Sequence, residues 1–412
     1  MKILIVSQFY YPEPFRVNEI AEGLVARGHH VVVLTTFPSY PYGATYEGYR
    51  NRGKVVEVIN GVKVIRVSSI PRKIGLVNLI LSYVSFCVNA CLNLRIVLKE
   101  PFDVVYSYQL SPITQVIPAI IASKKIRIPH YLYCLDLWPE SVVEVLCEKS
   151  LLYKIIHKLS SYIYNCANRI GVTSPSFKDY LCEVCKVKQG NVEYLPQHSD
   201  DIMSGKDLTA LSNGCVDICF MGNVGASQNI ELVISAVHKL KDVEGFKIHI
   251  VGSGSKYNDA VSLCARLHLE DKIVFHGRKP YSQMDECYKL ADVCLLILTN
   301  KTFIGSTIPG KLQNYMAAGK PILASIGGDT CGIIEEADCG VYCKPDDEDA
   351  LVNAILTIVN KQEEFSRWGE NSRYYFLQHF TINQHLDRLE HCFEQICKQW
   401  QQIQKDRKYA DR

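Results

Sequence analysis

"VDICFMGNVGASQN", Val216 to Asn229, decides the fold. An apolar run empties into a loop with two glycines and then into a helical pattern, as a buried parallel strand does when it feeds a helix. The chain begins the same way at "KILIVS". Between the two starts, strands alternate with helices through "HVVVLTT", "VKVIRV", a long apolar helix, "DVVYSY", a helix near 112–124, "PHYLYCLD" and "RIGVTS". After Val216 the alternation runs again through "FKIHIVG", "KIVFHG", "DVCLLIL" and "PILAS". Such alternation predicts α/β architecture with parallel sheets covered on both faces, here two doubly wound Rossmann-like domains in series. The polar stretch Pro196–Gly214 reads as their linker. The expected bounds are 1–200, 201–375, and 376–412 for a closing helix that packs back toward the first domain.

Composition narrows the classes. At 412 residues the chain is too long for one ordinary core. Lys and Arg exceed Asp and Glu by only two, so no whole-chain field draws nucleic acid, and none is expected as a partner. The 17 cysteines are odd in number and many lie in apolar runs, where a thiol is a small buried hydrophobe in a reducing cytosol. Cys182 and Cys185 form an isolated Cys-x-x-Cys with no second pair at zinc spacing, so no metal is expected. The apolar start is too short for a secretory leader.

One segment, Ile74–Leu98, is apolar enough to suit a membrane. Gly75, Asn78, Ser82, Ser85, Asn89 and Asn93 recur along it at spacings of three and four, a thin polar stripe on a broadly apolar helix. Burial in the domain, a bilayer-surface position with Arg72, Lys73, Arg95 and Lys99 at its ends, and a span all fit that pattern.

Ligands of open α/β sheets bind beyond the carboxyl ends of the strands, where glycine loops and helix N-termini meet an anion. In the second half those loops are "GNVGASQ" with Asn223, Gly225 and Gln228, "VGSGS" with Gly252 and Ser253, and "FHGRKP" with Arg278. None is the dinucleotide Gly-x-Gly-x-x-Gly pattern. "STIPGKLQNYMAAGKPI", Ser306–Ile322, adds Gly310 and Lys311 at a helix entrance, a point charge where the helix dipole already favours an anion, and a diphosphate would use both. In the first half Asp136 ends an apolar strand, with Trp138 and Glu140 after it. A carboxylate there suits general-base or sugar-orienting work, or caps the next helix. Glu13, Arg16 and Asn18 occupy the first strand-to-helix loop on the same side. Tyr40, Pro41 and Tyr42 shape the acceptor side or stiffen their loop, and His198 packs at the hinge.

The ordered motifs "QFYYPEPFRVNE", "YCLDLWPES", "YLPQHSDD", "GNVGASQ", "VGSGS", "VFHGRKP" and "PGKLQNYMAAGKPIL" together resemble bacterial glycosyltransferases of family 4 with the GT-B fold. The likeness extends over nearly the whole chain and is greatest to the subgroup building O-antigen, capsule and colanic-acid units, which includes N-acetyl-fucosamine transferases. It implies two Rossmann-like domains facing a cleft and a nucleotide-sugar donor, UDP-linked, on the second domain. It further implies a polyprenyl-diphosphate-linked saccharide acceptor on the first, retention of configuration, and no metal or other cofactor. Lys311 then stabilises the departing diphosphate, and the protein sits in the cytoplasm, peripherally at the inner membrane face.

Three departures stand out. Many members carry two glutamates with seven residues between them where this chain has Ser306 and Asn314, and an Arg and a Lys where it has Asn223 and Gln228. Many relatives also place a His where Leu135 precedes Asp136. Two other readings remain open: a UDP-sugar 2-epimerase of like architecture, and a non-catalytic nucleotide-sugar-binding subunit.

Overall fold

A computed structural model describes residues 1–72, 75–142, 150–202, 206–210, 213–300 and 307–410. Ser306 and Lys73 lie outside them. The chain forms two compact units, Met1–Pro196 with Ile382–Arg412, and Gln197–Thr381.

The first unit is built on an eight-stranded sheet. Its strands are β1 (Lys2–Val6), β2 (His30–Thr36), β3 (Lys54–Ile59), β4 (Val62–Val67), β5 (Val104–Gln109), β6 (His130–Cys134), β7 (Arg169–Val172) and β8 (Val192–Tyr194). The order is β3-β4-β2-β1-β5-β6-β7-β8, parallel throughout except the β3–β4 hairpin. That hairpin turns at Asn60-Gly61, both at positive φ, the geometry that an Asn-Gly pair adopts most readily. β3 lies on the edge and is largely exposed, so its sequence lacks the buried strands' continuous apolar run.

One face of this sheet carries the Val17–Ala26 helix, which buries Val17, Ile20, Ala21 and Leu24 at helical spacing. The long Ile382–Ala410 helix packs beside it. Gly23 makes room for Leu386, whose Cδ1 would lie 2.5 Å from a Cβ there. Arg27 reaches Asp387 and Glu390, each at 2.6 Å.

The Leu76–Val97 helix packs on the opposite face through Phe86, Ala90, Leu94 and Val97. By length and composition it is long and apolar enough to cross a membrane, yet it is seated as a surface helix of the sheet. Its polar stripe turns toward the chain leaving β4. Asn89 Nδ2 donates to Ser68 O at 2.8 Å, and Ser85 Oγ accepts from Ile70 N at 2.8 Å. The side left facing outward is therefore the apolar one.

The second unit holds six strands, β9 (Val216–Asn223), β10 (Phe246–Ser253), β11 (Ile273–Gly277), β12 (Val293–Ile297), β13 (Ile322–Ser325) and β14 (Gly340–Cys343), all parallel in the order β11-β10-β9-β12-β13-β14. Helices cover both faces, giving the two apolar layers of a doubly wound domain. Measured against the expected bounds, the junctions fall at Pro196/Gln197 and Thr381/Ile382. Cys182 and Cys185 are free thiols, both pushed up by burial.

Candidate functional site

In the second unit strand order reverses between β9 and β12, where open α/β sheets leave a crevice beyond their carboxyl ends. The Gly310–Ala317 helix is fastened to this point by Tyr315, whose hydroxyl accepts from Met221 N at 3.1 Å and donates to Met221 O at 3.2 Å. Lys311 lies four residues earlier, on the same helix face. Its chain folds over Gly222, where a Cβ would stand 2.4 Å from Lys311 Cε, so only glycine leaves that path open. The ammonium rests 3.9 Å from the centre of the Phe220 ring. Burial alone pulls it down to about 7, with no charged neighbour among the described residues shifting it. No side chain caps this helix, whose entrance is Pro309-Gly310.

The neighbouring loops close on one another through glycine. A Cβ on Gly252 would fall 1.8 Å from Gly222 O, and one on Gly254 would fall 2.3 Å from Val224 O. Ser253 pairs in register with Asn223, and both are exposed. Gln228 Oε1 accepts from Gly225 N at 3.1 Å and from Asn223 Nδ2 at 3.3 Å. The amide expected to reach a ligand thus spends its oxygen on shaping the loop. Asn314 Oδ1 accepts the Ser199 hydroxyl, tying the helix to the unit's first residues. Arg278 stands exposed past β11, the outer strand. Lys311, Gly310, Gly252, Ser253, Asn223, Gly225 and Gln228 therefore share one rim, with Arg278 at its margin.

At the corresponding edge of the first unit, Asp136 Oδ2 accepts from Ser111 N at 2.7 Å, while Trp138 Nε1 donates to Ser111 Oγ at 3.1 Å. Asp136 keeps part of its surface open but lies deep enough that burial, the largest influence, raises its carboxyl; the Ser111 bonds and Arg72 act the other way. Arg72 also sits over the Tyr40 ring, 5.9 Å from its centre. The sequence reading gave Arg72 only a place at a helix end.

Three expected cleft residues have internal partners instead. Glu13 is fully buried, and its carboxylate accepts from Ser39 N at 2.8 Å, Tyr40 N at 2.7 Å and Tyr10 N at 3.3 Å. Asn18 accepts from Tyr11 N and donates to Glu13 O. Glu140 accepts from the Tyr153 and Tyr180 hydroxyls, bracing two helices. A loop of this length without glycine leaves backbone amides that need acceptors, and Glu13 supplies them. Arg16 is half-buried at the start of its helix. Glu13→Ala strands three amides, so a loss of about 3 kcal/mol is expected in urea unfolding. A loss below about 1 kcal/mol would show that water replaces the carboxylate.

Comparison with known proteins agrees with this layout. Residues 15–198 match the family described as "Glycosyl transferase 4-like domain" and residues 210–375 match "Glycosyl transferases group 1". A probable glycosyltransferase, WbjE of Pseudomonas aeruginosa, is 28% identical over 280 residues, 62% of this chain and 66% of that one. The putative colanic acid biosynthesis glycosyl transferase WcaI of Escherichia coli is 23% identical over 387 residues, 86% of this chain and 91% of that one. The crystal structure of Anabaena HepE in complex with UDP superposes with a TM-score of 0.67 at 14% identity, over 96% of this chain and 100% of the other. With one domain match on each unit and two doubly wound sheets to carry them, the chain belongs to the GT-B glycosyltransferases that join a 4-like domain to a group 1 domain.

Proposed function

We propose that this protein moves a sugar, with retention of configuration, from a UDP donor held by the second unit to a polyprenyl-diphosphate-linked saccharide bound by the first, in assembly of a surface polysaccharide. The observation that carries the reading is Lys311, an ammonium facing an aromatic ring and glycine backbone where three ligand loops meet. Such a cation is costly to bury alone and becomes favourable when an anion arrives. Charge develops on the diphosphate as the sugar departs, and Lys311 with the amides of the Gly310 entrance stabilises it in place of a metal ion. Asp136 orients the acceptor hydroxyl or takes its proton. UDP bound to HepE and the colanic acid role in the name of WcaI support the donor and pathway assigned here. The acceptor brings peripheral contact with the inner face of the membrane.

UDP is expected to raise the melting temperature, since it binds only the folded state. Incubation with donor alone should yield no isomer, against the epimerase reading. Failure of every UDP- and GDP-sugar to shift melting or to release nucleotide with membrane acceptors would sink the proposal.

The amine's depressed position links binding to pH. Above pH 7 the unliganded site holds Lys311 increasingly neutral, while the diphosphate complex favours the ammonium, so binding takes up a proton. UDP affinity should therefore fall as pH rises above 7, by up to about tenfold per pH unit. Calorimetry at pH 8 in buffers of different ionisation heat would show uptake approaching one proton. A buffer-independent heat contradicts it.

A further inference from the structure

Three helices of the first unit lie side by side and turn an unusual surface outward. The Leu76–Val97 helix packs against the Ile117–Ile126 helix. That second helix meets the Leu151–Asn165 helix through Lys124, whose Nζ is 5.9 Å from the centre of the Tyr162 ring and 3.9 Å from Cys166 Sγ.

On the first of these helices Val77, Ile80, Leu81, Val84, Val88 and Leu92 form one exposed stripe, with Val77 at 70% and Leu92 at 71% accessible. Arg95 and Lys99 continue that stripe at helical spacing, as cations do when they reach for a polar boundary from an apolar face. On the third helix Leu151, Leu152, Ile155, Leu159 and Tyr162 repeat the arrangement, Leu151 being 75% accessible, with Lys154 and Lys158 along one flank. Residues 75–99, 113–127 and 151–166 carry seven Lys and Arg and no Asp or Glu, in a chain whose formal net charge is only +2.

We propose that this three-helix face is a docking surface for an anionic lipid bilayer, with the two apolar stripes entering the headgroup boundary and the lysines and arginines meeting lipid phosphates. Apolar side chains flanked by cations on a helix lying flat are the pattern that binds such a surface. Charge also argues against a second copy as occupant. A two-fold contact would set the same acid-free basic patch against itself. The inference deepens the lipid-linked-acceptor reading by naming the surface, but its test uses vesicles holding no saccharide lipid, so the two fail separately.

The full chain is expected to sediment with vesicles containing phosphatidylglycerol, to bind neutral phosphatidylcholine vesicles far more weakly, and to be released by salt. Lys154→Gln with Lys158→Gln should cut partitioning about 30-fold, at about fivefold for each lysine near the surface. Ile155→Ser with Leu159→Ser should cut it to a similar degree. Lys344→Gln with Lys361→Gln, on the other unit, should leave it unchanged, and an unaltered far-UV circular dichroism spectrum with a cooperative thermal melt in each variant reports intact folding. The proposal is overturned by no binding to anionic vesicles, by equal losses in the Lys344/Lys361 control, or by a dimer that the Ile155/Leu159 substitutions dissociate while vesicles stay unbound.

Discussion

Lys311→Ala is expected to lower kcat by about 10²–10³-fold, the usual cost of removing one preorganised group that meets developing transition-state charge. The substitution should also weaken UDP binding by tenfold or more while leaving uridine binding nearly unchanged, because the ammonium meets phosphate and not the base or ribose. Folding should survive it. The amine forms no ion pair among the described residues and burial disfavours its charge, so its loss relieves a desolvation cost. A variant with normal turnover, or one that loses uridine and UDP alike, would place the diphosphate elsewhere on the rim.

Gly252→Ala is the most damaging single change expected for the second unit. The new methyl would stand 1.8 Å from Gly222 O at a φ of +151°, and the obstacle is backbone of the paired strand, which no rotamer can move aside. β9 and β10 would have to part where their loops form the ligand rim. A destabilisation above about 4 kcal/mol is expected in urea unfolding, in the class of severe backbone and packing lesions. Gly245→Ala is the control: its φ is +84°, but nothing lies within 4 Å, so only the left-handed backbone penalty of about 1–2 kcal/mol applies. Equal effects from the two would mean that the approach of the two strands is not what requires glycine.

The parallel strands were legible because burial on both faces demands unbroken apolar runs, as in Ile3–Val6 and Ile218–Met221. β3 escaped because an exposed edge strand relaxes that demand, although the Asn60-Gly61 turn beside it was a usable signal. β8 has only three residues, and β14, as long as β7 and β13, has none of its four fully buried, so neither is marked by the buried run of the inner strands. Within the site, Lys311 could be read because glycine, lysine and helix start are adjacent in sequence. The two lysines of that stretch nonetheless part company: Lys320 is buried and donates to Ala291 O at 2.8 Å, a structural bond to a residue distant in sequence. Glu13 was misplaced for the same reason, since two of the amides it serves belong to Ser39 and Tyr40. The outward turn of the apolar stripe on Leu76–Val97 depended on Ser68 and Ile70 claiming its polar side.

The Ile382–Ala410 helix gives the chain an order of assembly. Leu386, Leu389, Phe393 and Ile396 lie in the same core as β1 and the Val17–Ala26 helix, and Phe393 meets the Tyr106 and Tyr131 rings edge-on. The second unit lies between the two segments in sequence, so the core around β1 can be completed only after Gln197–Thr381 has been synthesised. A stop codon near residue 381 would spare every loop of the proposed donor site and still disable the half of the protein that was translated first.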